Sequence, residues 1–563
     1  MRHLLAPLFL LLALHLGAAE TQIRINQCGY YPAASKIAIV TDADALTEFA
    51  LVDTLGTTVF SGKLGESKQW HLSGETAKKA IFTGFSTPGT YRLQVGDSHS
   101  YPFEIKAHAW HDVSVGIMRS YYLQRCTYEL TEEHAGIYKR PAGHPDLGCP
   151  FDRSTGKRYG TLDAPGGWYD AGDFGKYIVS AGVTLGNMLS LHEILPAVFP
   201  DGSTNIPESG NGYSDMLDEA KYELDWFKRM QDTDGGVFVK LTTAKYPPMM
   251  FPHNDPLQRT VYGKSTASTL HFAACMAMAG RIYKDRYPEW AADCVNRAND
   301  AWLWAQINSN EIFHNPEGVL SGDYSNAQMS DEFLWAATEL YITTQRESYR
   351  LYINNNKRKY SDMAPSGWAN VSALAITSLA VNSQNLPTEM AALIKASLLD
   401  WSDKQLAEME ASAYQLPTFD LVWGSNGFIG STGLCFVYAY QVSAEKKYLD
   451  AAAQVADYLL GKNATGYCFV TGFGSKQVVN LHHSVSIADG IPGSLPGFVP
   501  GGPNPSMEDA KTSEHGEAAM YPSTLPARAY VDSQRSYASN ENDICYSAPV
   551  LALLAALDQL LAE

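Results

Sequence analysis

From Thr21 to about Lys106 the apolar residues fall in short runs punctuated by turn formers, among them Lys36-Ile-Ala-Ile-Val40, Phe49-Ala-Leu-Val52, Thr58-Val-Phe60 and Tyr91-Arg-Leu-Gln-Val95. Runs of that spacing predict a small antiparallel sandwich of immunoglobulin-like size, with bounds near 20–106. After Trp110 the period changes. In Ser214–Met230 the residues Leu217, Ala220, Leu224 and Phe227 share one helical face, and acids crowd the first turn, where the helix dipole favours them. Similar patterns at Ser265–Ala279, Trp290–Gln306, Asp331–Thr343, Val371–Val381, Gly433–Val442, Tyr448–Leu460 and Ala548–Leu561 predict a body of helices joined by Gly- and Pro-rich loops. Such helices form either hairpins closed into a barrel or a stacked array, and periodicity does not choose between them. The chain opens on MRHLLAPLFLLLALHLGAAE, with a basic start, an apolar stretch too short for an ordinary membrane span and a small-residue exit at Gly17-Ala18-Ala19. Residues 1–19 therefore read as an export leader, since an amphipathic first helix would need a polar face. A secreted or periplasmic location is expected, and no later segment reads as a membrane span.

A length of 563 residues exceeds what one core usually organises, which supports a large body plus a smaller domain. With 45% hydrophobic and 11% aromatic residues the chain is globular, and a formal charge of −18 sets it against polyanions, so nucleic acid is not an expected partner. No membrane partner is expected either, and a monomer is the default. Eight scattered cysteines do not make a dense disulfide scaffold, and their spacing does not give a pairing. None belongs to a CxxC unit and no HExxH is present, so spacing announces no metal site.

Aromatic and polar residues mix in three loop stretches: Pro165-Gly-Gly-Trp-Tyr-Asp-Ala-Gly-Asp173, Asn205-Ile-Pro-Glu-Ser-Gly-Asn-Gly212 and 472–505. Loops held by a rigid scaffold are where function concentrates. Asp170 and Asp173 stand three apart around a glycine, so one turn can bring both to a single point. One carboxylate can then bind a water and take its proton while the other tunes it. Cleaving a sugar acetal also requires a separate acid for the leaving oxygen. Taken alone, an Asp-x-x-Asp turn is more often a cap or a cation site.

The ordered combination is more specific. The first two of those loops are followed in register by Val470-Thr-Gly-Phe-Gly474, His482-His483, Gly501-Gly-Pro-Asn504 and Ser539-Asn-Glu541. From about Ile23 to its end the sequence resembles glycoside hydrolase family 9, in the cellulase branch with an immunoglobulin-like domain before the catalytic one. The resemblance implies a mostly α fold, with an (α/α)6 barrel over 107–563, that cuts β-1,4-glucan or its oligosaccharides by inversion and requires no cofactor. It implies that Asp170 and Asp173 hold and activate the water, with Asp173 the base. It also implies that Glu541 is the general acid, that Asp532 supports the site and that His482 lines the subsite at the cut. Trp168, Tyr169, His483 and Trp423 are the expected substrate contacts, with a packed histidine as the alternative for His482 and His483. Trp302, Trp304, Trp335 and Trp368 have helical spacing and read as core.

Four positions depart from the family pattern: Ser484 replaces an arginine, Val239 a histidine, and Asp543 and Ser547 a small residue and an asparagine after the acid. They leave open an exo-acting β-glucosidase, cellobiosidase or glucosaminidase. A binding protein with lapsed catalysis is a third reading, which the intact carboxylates argue against. Asp543 would raise the Glu541 pKa if both faced the cleft, but is read here as pointing into solvent. Of a zinc site that many relatives carry, Cys126 and His144 remain, while Gly143 and Tyr169 replace ligands and only Cys149 could substitute. Zinc is therefore not expected. Structural calcium near Ser209–Glu219 is open, with no ligands assignable.

Overall fold

The computed structural model describes residues 22–417, 420–511 and 518–562, so the segment read as a leader lies outside the described residues. The N-terminal part is two antiparallel sheets. One runs in the order Gln22–Arg24, Ile37–Thr41, Glu75–Ile81, Lys68–Trp70. The other runs Thr58–Lys63, Glu48–Val52, Gly89–Val95, and Ser98–His99 and Phe103–Ile105 both pair with its last strand. The strand Ile37–Thr41 is buried at every position because both its faces are covered. Ala38 and Val40 sit inside the sandwich with Leu51, Leu93 and Phe103, while Ile37 and Ile39 join the core of the helical body. A strand covered on both sides reads as continuously apolar, as Ile-Ala-Ile-Val does.

Among the described residues, twelve helices of nine residues or longer build the body. They are α1 (His111–Leu123), α2 (Ile178–Ile194), α3 (Asp215–Met230), α4 (Thr266–Ile282), α5 (Pro288–Ile307), α6 (Ser330–Thr344), α7 (Glu347–Asn355), α8 (Ser372–Val381), α9 (Thr388–Ala411), α10 (Ser425–Ser443), α11 (Lys446–Leu459) and α12 (Ile544–Leu561). Helices α2, α4, α6, α8, α10 and α12 each touch the next and α12 returns to α2, which closes a ring of six. The other six lie outside it, each packed on an inner partner. This settles the choice that periodicity left open: the body is an (α/α)6 barrel.

The inner and outer helices differ in sequence for a physical reason. An outer helix such as α3 has one wet face, so its apolar stripe is legible, and Ser214 caps it by accepting a hydrogen bond from the Leu217 N–H. An inner helix is apolar all round and has no stripe. In α2 every residue from Ile178 to Leu191 is buried, and the sequence pattern did not predict it. Gly182 and Gly186 look like helix breakers there but allow close packing: a Cβ on Gly182 would lie 2.7 Å from His271 Nδ1, and one on Gly186 2.8 Å from Trp335 Cζ2. Helix α12 is long and apolar enough to cross a membrane, yet most of it is buried in this ring.

Candidate active site

The segments that precede the inner helices converge at one end of the barrel. Asp170 and Asp173 lead into α2, Tyr324 into α6, Trp368 into α8, Trp423 into α10, and Glu541 and Asp543 into α12. Backbone pairing stitches these segments together. Ala171 bridges Asp543, His482 bridges Glu541, and Pro500 bridges Asn542. The Ile544 N–H donates to the Asp170 carbonyl at 2.8 Å, and the Ser484 N–H to the Gly172 carbonyl at 2.9 Å. Gly172 has no alternative: a Cβ there would stand 2.3 Å from the His482 carbonyl oxygen and 3.0 Å from Glu541 Oε1. The glycine of the Asp-Ala-Gly-Asp turn thus lets the Asp170–Asp173 side and the Glu541 side of the site approach through bare backbone.

The result is a cavity of about 710 Å³ lined by Asp170, Asp173, Glu541 and Asp543, by His482, and by aromatic rings including those of Tyr324, Trp368 and Trp423. Asp170 is almost fully buried. Its Oδ2 accepts the Tyr324 hydroxyl at 2.6 Å, and its Oδ1 has no hydrogen-bond partner among the described residues. Burial, with Asp543 as the next cause, raises its carboxyl well above the ordinary range. Asp173 accepts the Gly175 N–H at 3.2 Å, and burial pushes its pKa up to about 6. Glu541 is raised well above its ordinary value by burial first, then by Asp173 and Asp543. At near-neutral pH the site therefore supplies an ionisable base in Asp173 and a proton-holding acid in Glu541, the pairing that acid–base cleavage requires.

Asp543 corrects the sequence reading, since it does not point into solvent. It is 4% exposed. Its Oδ1 caps α12 by accepting the Cys545 N–H at 2.7 Å and also accepts the Ser180 hydroxyl at 3.0 Å. Its Oδ2 lies 3.3 Å from the Tyr324 hydroxyl that Asp170 also holds. The backbone bridge to Ala171 and its capping of α12 turn it inward. The titratable groups around it are Asp170 and Asp173 on the facing loop, Tyr324, Tyr121 of α1, and Glu541, Cys545 and Tyr546 on its own segment. A carboxylate here disfavours ionisation of Asp173 and Glu541. Asp543→Asn is therefore expected to move both limbs of a bell-shaped kcat/KM profile to lower pH. A pH–rate series on both proteins checks this, and stationary limbs would show that Asp543 carries no charge in the working enzyme.

Of the remaining predicted contacts, His482 lines the cavity and its Nδ1–H donates to the Gln534 carbonyl at 2.6 Å. Trp423 stands 38% exposed at the cavity, 5.5 Å from the Tyr537 ring. Asp532 is outside the cavity lining. It accepts the Val479 and Asn480 N–H groups at 3.1 and 2.8 Å and so holds the segment that carries His482. Three expected substrate contacts are buried instead. Trp168 packs on Tyr121 with its indole N–H donating to Glu219 at 2.8 Å. His483 accepts the Ser486 N–H at 3.2 Å and caps a short helix, and burial lowers its pKa to about 3. The Tyr169 hydroxyl meets His144 Nδ1 at 2.9 Å. All three lie within two residues of a cavity-lining residue in sequence, but their side chains are buried in the core, a direction that motif order does not contain. Conversely, Tyr324 and Trp368 were not identified as site residues. The available signal was their place in segments that lead into apolar helices.

The surroundings of Cys126 and His144 are filled by other chemistry. A Cβ on Gly143 would lie 2.1 Å from the Tyr169 hydroxyl, so that hydroxyl takes the space of a side chain. Beside Cys126, Asp146 accepts from Arg259 at 2.8 Å and pairs with Lys176 at 2.7 Å, all three buried. Burial holds the Cys126 thiol protonated. Two fixed cations and a neutral thiol do not fit a zinc ion, which binds thiolate and repels both charges. Breaking such a buried ion cluster by removing one member costs about 3–5 kcal/mol. In the stretch considered for calcium, Asp215 is already occupied by the N–H groups of Gly202 and Thr204 and the hydroxyls of Thr204 and Ser209.

A profile of glycosyl hydrolase family 9 matches residues 110–554, and one of the cellulase N-terminal ig-like domain matches residues 18–100. The chain is 36% identical over 564 residues to a xyloglucan-specific endo-beta-1,4-glucanase of Bacteroides ovatus, covering 96% of this chain and 94% of that protein. It is 30% identical to endoglucanase D of Acetivibrio thermocellus, over 95% of this chain and 83% of the relative. Among solved structures, Bacteroides ovatus GH9 superposes with a TM-score of 0.88 at 34% identity, covering 96% of this chain and 99% of that one. A metagenome-derived family 9 endoglucanase gives 0.87 at 32% identity, over 96% and 99% of the two chains.

Proposed function

Because this chain belongs to glycosyl hydrolase family 9, we propose that it is an endo-acting β-1,4-glucanase that cleaves with inversion. The observation that carries the reading is the cavity in which a base-bearing turn and an acid-bearing segment are joined by backbone bridges and lined by aromatic rings. Trp368 and Trp423 offer faces for sugar rings. Asp170, fixed at Oδ2 by the Tyr324 hydroxyl, lies beside Asp173, which faces the cavity and the nucleophilic water there. Asp173 takes that water's proton as its oxygen attacks the anomeric carbon, and Glu541 gives its own proton to the departing glycosidic oxygen. The lone pair of the broken C–O bond leaves with that oxygen, and attack from the opposite face inverts the anomeric carbon.

The specificity of one Bacteroides ovatus relative makes xyloglucan the first branched substrate to try beside unbranched glucan. The deciding experiment follows viscosity and reducing ends together on hydroxyethyl cellulose and on xyloglucan. An endo enzyme collapses viscosity while few ends have formed, and steady release of ends at unchanged viscosity would replace the reading with exo-action.

A second reading rests on charge. Five carboxyl groups, those above and Asp323, line the cavity, and among the described residues no lysine or arginine does. Ser484, where the family has arginine, lines it too. Such a cavity attracts a cationic sugar, so the same substrate series includes glucosamine oligomers, and a higher kcat/KM on them than on glucose oligomers would move the substrate class.

A further inference from the structure

Cys28 in the β-sandwich and Cys468 in the barrel, 440 positions apart, lie with their sulfurs 3.7 Å from each other. Cys28 is part-exposed, and Cys468 is buried. The frame around both is fixed by hydrogen bonds between the two domains. The Gln27 N–H donates to the Leu460 carbonyl at 3.0 Å. The Gln27 side-chain amide donates to the Gly466 carbonyl at 2.8 Å and accepts the Lys476 N–H at 2.7 Å. Asn26 donates to Asp457 at 2.7 Å and accepts the Cys28 N–H at 2.9 Å. On the other side the Cys468 N–H donates to the Lys476 carbonyl at 2.9 Å. Lys476 therefore touches both cysteine-bearing segments. The contact between the thiols belongs to a clamped interface and is separate from the catalytic cavity.

We propose that Cys28 and Cys468 are an oxidation site, forming a disulfide that covalently ties the immunoglobulin-like domain to the barrel. The sulfurs need only close from 3.7 Å to a bond of about 2.0 Å, a movement within reach of side-chain rotation. The oxidant is a disulfide of the thiol-exchange class. The thiolate of Cys28, the part-exposed residue of the pair, attacks one sulfur of that disulfide and expels a thiolate. Cys468 then attacks the Cys28 sulfur and expels the second. Two protein thiols and one external disulfide become one protein disulfide and two external thiols, and the two protein protons end on those thiols. In the folded state the Cys28 thiol is raised by its hydrogen bond with Cys468 and by burial, so exchange is slow at neutral pH and quickens in mild alkali. The two bridged positions enclose most of the chain. The bond restricts the unfolded state over that whole length and prevents the sandwich from undocking.

The test treats the purified full-length protein with glutathione disulfide at mildly alkaline pH, then denatures and alkylates it. Two of the eight cysteines are expected to escape alkylation, and a peptide map is expected to join the Cys28 peptide to the Cys468 peptide. Dithiothreitol should then lower the Tm of the oxidised wild type and leave the Tm of Cys28→Ser unmoved. Alkylation of both Cys28 and Cys468 after this treatment, or their linkage to other cysteines or to glutathione alone, would overturn the proposal. The peptide map decides this on wild-type protein whether or not the variant folds.

Discussion

Glu541→Gln is expected to lower kcat on a β-1,4-glucan by about 10²–10⁴-fold, the usual range for losing a positioned proton donor, with KM little changed. The amide keeps the size and hydrogen-bonding capacity of the carboxyl and removes only the transferable proton. The local frame does not depend on that proton, because it is the Glu541 backbone that bridges His482 and accepts the Gly501 N–H at 2.8 Å. The signature of this role lies in the leaving group. An aryl glycoside whose phenolate departs without protonation should lose far less activity than the polymer does. An equal loss on both substrates, with normal folding by circular dichroism, would place the acid elsewhere.

Asp173→Asn is expected to bring a comparable loss, about 10²–10⁴-fold in kcat, with the opposite leaving-group behaviour, since water must be activated whatever departs. Polymer and aryl glycoside should suffer alike. The wild-type profile follows from the same residue. Its base form is needed, and burial places its pKa at about 6, so activity should fall as pH drops through that value. Glu541, raised well above the usual carboxyl range, must stay protonated and sets the limb at higher pH. Azide needs no deprotonation to attack and should partly restore turnover in Asp173→Asn, giving a glycosyl azide of inverted configuration. A wild-type rate that stays flat down through pH 5 would remove Asp173 from the role of base.

The helices read from the sequence include three outer ones, α3, α5 and α11, and five inner ones, α4, α6, α8, α10 and α12, while α1, α2, α7 and α9 were not read. An outer helix with one wet face, such as α3 or α5, displays its period because water and core sort its residues. The inner helix α2 meets protein on all sides, so its stripe vanishes and its packing glycines resemble breakers. Motif order pointed to Asp170, Asp173 and Glu541, three of the five carboxyl groups that line the cavity, through the resemblance that the ordered motifs carry. The same order pointed also to Trp168, Tyr169 and His483, which lie within two residues of cavity-lining Asp170 or His482 but are themselves buried.

The sequence by itself determined the two-domain plan, eight of the twelve helices and the closeness of Asp170 and Asp173 along one turn, since each rests on residue type and short-range period. Only the tertiary structure decided that the helices close into a ring, that Asp543 turns inward to share the Tyr324 hydroxyl with Asp170, and that Tyr324 and Trp368 reach the cavity. It also brought Cys28 against Cys468. The reason is the same in each case. Side-chain direction and long-range approach are set by which backbone segments pair and which faces are covered, and those are properties of the whole packed chain.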